Sequence, residues 1–127
     1  MPTVMVVEDM SVMRDTIARL LKREGYATLT AANGYEALEQ LEVQGALPDV
    51  ILLDVMMPDL DGMELLERLH ADARWRGVPV IMLSAISDTH TIHRAEQLGA
   101  KAYLIKATFS VTEMMSEIRR CTQYIPH

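Results

Sequence analysis

Polar residues of three kinds close short apolar runs in this chain, and together they suit phosphoryl chemistry. Val4-Met5-Val6-Val7 runs into Glu8 and Asp9, and Val50-Ile51-Leu52-Leu53 into Asp54. Val80-Ile81-Met82-Leu83 runs into Ser84, and Ala102-Tyr103-Leu104-Ile105 into Lys106. Brought together, three carboxylates repel one another, which raises their pKa values and destabilises the fold unless a cation is present. Oxygen donors from Glu8, Asp9 and Asp54 suit Mg2+ better than zinc, and no His/Cys cluster offers softer ligands. A metal beside a free carboxylate is half of a phosphoryl-transfer site, because it offsets charge on the transition-state oxygens. The Lys106 ammonium suits a phosphoryl oxygen and the Ser84 hydroxyl another, while Asp54 suits a nucleophile that forms an acyl phosphate. Singly, each residue reads more simply: Asp or Ser at a strand end as a cap, Lys as a solvated charge. Four runs with matching ends favour the joint reading.

Such runs, separated by helical patterns, read as buried parallel strands. Parallel strands share one carboxyl-end edge, where open α/β sheets bind ligands. The connecting segments are helical. Met13, Ile17, Leu20 and Leu21 recur at three- and four-residue spacing between Ser11 and Glu24, with Gly25 as a stop. Tyr26 to Ala31 reads as the second strand, Asn33-Gly34 as a turn, and Tyr35 to Gln44 as a helix on Ala37, Leu38 and Leu41. After the turn formers Met57-Pro58-Asp59-Leu60-Asp61-Gly62, Met63 to Ala71 carries Leu65, Leu66 and Leu69. Ser87-Asp88 caps a fourth helix running to about Leu98, and Gly99 ends it. Ser110-Val111-Thr112-Glu113 has capping-box spacing and opens a fifth helix through Met114, Met115, Ile118 and Cys121. Five strands alternating with five helices predict an α/β, doubly wound parallel sheet with right-handed crossovers. Residues 1–122 read as one domain and 123–127 as a loose tail.

The 127 residues are half hydrophobic, which argues against disorder, and a formal charge of −6 disfavours direct contact with nucleic acid. The single cysteine, Cys121, forms no internal disulfide, so a reducing cytoplasm is the simplest compartment. No apolar stretch approaches a membrane span, and no signal-peptide layout opens the chain. His70, His90, His93 and His127 lie at no strand end and read as solvated positions. The ten methionines, spread over strands and helices, read as core filling.

The stretches Val4 to Asp9, Ile51 to Pro58 with Asp61-Gly62, Met82-Leu83-Ser84-Ala85 and Gly99 to Lys106 resemble the receiver domain of two-component response regulators. The resemblance covers nearly the whole chain. It implies a flavodoxin-like (βα)5 fold with strand order 2-1-3-4-5. It also implies that a sensor histidine kinase or a phosphotransfer protein donates a phosphoryl group from phosphohistidine to Asp54. Asp9 and the Met56 backbone carbonyl would bind Mg2+ beside Asp54, with Glu8 acting through water. Ser84 would turn toward the phosphoryl group and Tyr103 would rotate inward, a population shift driven by a charge change. The output surface for an unknown downstream protein would be the fourth helix, fifth strand and fifth helix, where His90, Arg94, Met114 and Ile118 lie.

Departures from the family pattern sharpen these expectations. Ala107 follows Lys106 where relatives usually carry proline, and a non-proline cis bond costs roughly 2.5 to 4 kcal/mol, so a trans bond or a rebuilt loop is expected. Met56 and Ile86 are apolar where relatives can carry polar side chains that orient the hydrolytic water, so a long-lived phosphoryl group is expected. The competing class is a Mg2+-dependent phosphohydrolase with an Asp nucleophile, which wants an Asp two residues later as acid/base; Met56 stands there. A phosphorylation-independent interaction module is disfavoured by the intact Glu8, Asp9, Asp54, Ser84 and Lys106. The expected role is a signalling switch, not an enzyme.

Overall fold

Short β-branched and aliphatic runs become five strands in the computed structural model, which describes residues 1–43 and 47–123. They are β1 (Thr3–Val7), β2 (Ala27–Ala31), β3 (Val50–Leu53), β4 (Val80–Ser84) and β5 (Ala102–Ile105). The amphipathic segments between and after them form α1 (Ser11–Arg23), α2 (Gly34–Val43), α3 (Gly62–Ala71), α4 (Thr89–Gln97) and α5 (Val111–Thr122). All strand pairs are parallel, in the order β2-β1-β3-β4-β5. The expected flavodoxin-like α/β architecture is therefore the one observed. Chain order reverses at β1, which lies between β2 and β3, and such switch points open a crevice at the strands' carboxyl ends.

Alternation along the strands divides the core in two. Met5, Val7, Ile51, Leu53 and Met82 pack with Leu41, Leu65, Leu66 and Ala95 from α2, α3 and α4. Val4, Val6, Leu52, Ile81 and Leu83 face the other way, against Ile17 and Leu21 of α1 and Met114, Met115 and Ile118 of α5. The central strands β1, β3 and β4 are buried along almost their whole length, as expected for strands covered on both faces.

Several boundaries differ from the sequence reading. Tyr26 is not in β2: it is buried under the α1 end, its backbone N–H bonded to the Leu21 carbonyl at 3.0 Å. Gly25 and Gly99 take φ values of 92° and 93° as the chain leaves α1 and α4, so both stops are real. Only Asp88 of the Ser87-Asp88 pair caps α4, accepting from the Thr91 N–H. Ser110 caps α5 by accepting from the Glu113 N–H. The expected end of the second helix at Gln44, the 124–127 part of the tail and His127 lie outside the described residues. His70, His90 and His93 are exposed. Among the described residues no peptide bond is cis, and after Lys106 the chain makes a tight turn in which Thr108 and Phe109 both donate to the Ile105 carbonyl.

Candidate functional site: an acidic cluster at the sheet's carboxyl edge

Backbone pairing carries the acids past the ends of their strands. The Glu8 N–H donates to the Ala31 carbonyl at 3.0 Å and the Asp54 N–H to the Val7 carbonyl at 3.1 Å, so the β1 ladders continue one residue on either side. The Lys106 N–H does the same to the Ser84 carbonyl at 2.8 Å. Glu8 and Asp54 are buried, at 2% and 3% exposure, whereas Asp9 faces solvent. One oxygen from each of these three carboxylates lies within 4.8 Å of the others, an oxygen-only group that fits a hard divalent cation.

Lys106 reaches across from β5 to both buried acids. Its Nζ lies 2.7 Å from Glu8 Oε1 and 3.1 Å from Asp54 Oδ2. The second oxygen of each acid meets a backbone donor: Asp54 Oδ1 accepts from the Met56 N–H at 3.2 Å, and Glu8 Oε2 from the Met10 N–H at 3.4 Å. Arg14 Nη1 donates to the Glu8 carbonyl oxygen at 2.8 Å and holds the turn from β1 into α1.

Two acids sharing one ammonium remain short of positive charge. Burial, then the neighbouring Asp54 carboxyl, push the Glu8 pKa above its ordinary value, and Lys106 only partly offsets them. Asp9, although it faces solvent, is raised as well, by the partial desolvation of its carboxyl and then by the adjacent Glu8. Burial alone would lower the Lys106 pKa, but the Glu8 and Asp54 carboxylates outweigh it and hold the proton on. A cation among the three acids would relieve the same repulsion.

Ser84 closes the site from β4 and is fully buried. Its Oγ accepts from the Ile86 N–H at 3.0 Å, and the Tyr103 hydroxyl donates to the Ile86 carbonyl at 2.8 Å. One peptide segment of the β4–α4 connection is thus tied to both Ser84 and Tyr103. The Tyr103 ring is half-buried against the α2–α3–α4 side of the core, and burial raises its hydroxyl pKa. Beside the acids, Asp9, Val55, Met56, Met57, Asp61, Met63, Ile86 and Thr91 help line an open cleft of about 540 Å3.

The sequence-predicted residues Glu8, Asp9, Asp54 and Lys106 converge, with Ser84 and Tyr103 joined to each other through Ile86. Two contributors escaped the sequence reading. Arg14 acts through a backbone carbonyl, for which one turn of spacing into α1 is the only signal. Gly62 was read as a turn former, yet a Cβ there would collide with the Asp54 carbonyl oxygen; the glycine opening α3 was the available clue. The exposure of Met10 and Met56 had no sequence signal at all.

A doubly wound sheet with an oxygen-only acidic cluster and a bridging lysine at its carboxyl edge defines the class of the protein. Residues 4–119 match the response regulator receiver domain. The chain is 36% identical over 116 residues to the probable transcriptional regulator ycf27 of Guillardia theta, covering 91% of this chain and 43% of that protein. It is 34% identical to the DNA-binding dual master transcriptional regulator RpaA of Synechocystis, covering 99% of this chain and 52% of that one. The chain spans about half the length of these curated relatives. Among solved structures, it is similar to the Francisella response regulator 1452 receiver domain, with a TM-score of 0.87 and 32% identity over 97% of this chain and 98% of that one. Vibrio cholerae CheY4 gives a TM-score of 0.85 and 29% identity over 95% and 98%. The chain belongs to the response regulator receiver domain family, a family of signalling domains, and its Glu8, Asp9 and Asp54 form an acidic pocket consistent with a phospho-aspartate site. No helix among the described residues is long and apolar enough to cross a membrane.

Proposed function

We propose that Asp54 is the phosphoacceptor of a cytoplasmic signalling switch whose receiver unit is residues 1–122. The P–N bond of a phosphohistidine on a histidine kinase or phosphotransfer protein breaks as a bond forms from phosphorus to an Asp54 carboxylate oxygen, and the imidazole leaves. Asp9, Asp54 and the Met56 backbone carbonyl would hold Mg2+, with Glu8 acting through water, and the bound metal would offset charge on the phosphoryl oxygens. The Lys106 ammonium moves from carboxylate to phosphoryl oxygen, and the Ser84 hydroxyl donates to another. Lys106 lying between Glu8 and Asp54 is the single observation that carries this reading: the cation is already placed where the acceptor's new charge will appear.

Turning Ser84 toward that charge breaks its bond with the Ile86 N–H, and Tyr103, bonded to the same residue's carbonyl, responds. That coupling would carry the state of Asp54 to the face made by α4, β5 and α5, where the downstream protein binds. Exposed His90 and Arg94 belong to that face, whereas buried Met114 and Ile118 do not.

The test is a thermal melt with Mg2+ and beryllofluoride, since a ligand of the native state raises the midpoint. The expected result is a clear increase for the wild type and none from beryllofluoride in Asp54→Asn. Equal increments in both proteins would remove Asp54 from the acceptor role.

A further inference from the structure

The ten methionines are not the uniform core filler that their dispersal suggests. Met5, Met57, Met82, Met114 and Met115 are buried, and Met13 and Met63 are half-buried. Among the described residues, Met1 apart, exposed thioethers occur at Met10 (58% exposed) and Met56 (57%). Both flank the acids, each donating its backbone N–H to one of the two buried carboxylates. Met56 additionally lines the open cleft beside Asp9, whose other walls include the apolar side chains of Val55, Met57, Met63 and Ile86.

The geometry points to Met56 as a peroxide-sensitive modification site that shortens the life of a phosphoryl group on Asp54; this rests on the acceptor role proposed above. With hydrogen peroxide as oxidant, the thioether lone pair attacks one peroxide oxygen and the O–O bond breaks. A sulfur–oxygen bond forms, and the second oxygen leaves as water once protonated. Sulfur gives up two electrons and peroxide takes them. The product sulfoxide is polar, and its oxygen is a far better hydrogen-bond acceptor than the thioether sulfur. Hydrolysis of an acyl phosphate needs a water held in line with the phosphorus, and a weak acceptor at position 56 gives that water little orientation. Oxidation converts the group at the cleft wall from one that leaves the water free to one that holds it. Met57 and Met63 share the cleft but are more sheltered, so they should react later. Met10 is as accessible as Met56 without lining the cleft, which makes it an internal control.

The experiment treats the full chain with graded hydrogen peroxide and maps added oxygen by peptide mass spectrometry. Decay of the phosphorylated form is then followed in the wild type, Met10→Leu and Met56→Leu, each compared with its own untreated sample. Met56 should oxidise ahead of Met57 and Met63, and decay should become several-fold faster in the wild type and in Met10→Leu but not in Met56→Leu. A methionine sulfoxide reductase should restore the slow rate. Oxidation of Met56 no earlier than Met57 and Met63, or an unchanged decay with Met56 fully oxidised, or an equal response in Met56→Leu, would overturn the inference. If the untreated protein takes up no phosphoryl group at all, the acceptor role falls together with the lifetime claim. Uptake with a peroxide-insensitive lifetime removes the lifetime claim alone.

Discussion

Asp54 depends on residues that never touch its carboxylate. Its carbonyl oxygen and the Val55 Cα pack directly against Gly62: a Cβ at that glycine would collide with the carbonyl and lie 2.7 Å from the Cα. The Gly62 N–H also donates to the Val55 carbonyl at 2.9 Å, so the first turn of α3 and the end of β3 hold each other. Gly62→Ala should therefore push the Asp54 backbone aside, lowering stability by about 1–3 kcal/mol, the usual range for an overpacked site, and reducing the melting increment with Mg2+ and beryllofluoride. Gly77 offers the control, since a Cβ there meets nothing within 4 Å. Gly77→Ala should stay within about 0.5 kcal/mol of the wild type. Denaturant midpoints for the two variants separate steric positioning from a general intolerance of alanine.

At the scale of elements, α4 is the helix with least to hold it. Ala95 is its one buried residue, so its N-terminal cap matters more than a cap would on α3. Asp88 accepts from both the Thr91 N–H and the Thr91 hydroxyl at 2.8 Å. Those two bonds, the backbone one first, hold its carboxyl below the ordinary 3.8. A depressed folded-state pKa contributes stability that is present above the ordinary value and lost as the pH falls through the lower one. Asp88→Ala should lower the melting temperature at neutral pH, and the two proteins should converge as the solution is acidified below the ordinary aspartate range. A gap that persists into strong acid would locate the effect elsewhere than in this carboxylate.

For the whole molecule, the layers of the fold separate the side chains that build the core from those that face solvent. Ile118, fully buried between α5 and the sheet, belongs to the first group; Arg94, exposed and 3.5 Å from Glu67, to the second. Ile118→Ala should cost about 2–5 kcal/mol through lost burial and the cavity left behind. Arg94→Ala should change stability by no more than about 0.5 kcal/mol, as exposed ion pairs contribute little. It should also leave phosphoryl uptake on Asp54 intact. Urea midpoints and a phosphorylation time course check both halves. Loss of uptake in a fully folded Arg94→Ala protein would mean that α4 also serves the donor.

Much of this architecture was legible in the chain because its signals are local. The apolar runs at 50–53 and 102–105 became β3 and β5 residue for residue, and the helical stripes on Leu65, Leu66 and Leu69 or Met114, Met115 and Ile118 fell on buried faces. The acids, serine and lysine could be placed at one sheet edge because parallel strands leave no other arrangement for their ends. What tertiary structure alone decided concerns contacts between distant segments. Lys106 bridges Glu8 and Asp54 from 98 and 52 residues away. Tyr103 reaches the Ile86 carbonyl, Gly62 abuts Asp54, and two methionines of ten open onto solvent beside the acids. Periodicity reports how one segment divides between core and water, so it determines strands, helices and their ends. Exposure of a single side chain and the charge around a carboxylate depend on which other segments arrive beside it, and only the closed fold brings them there.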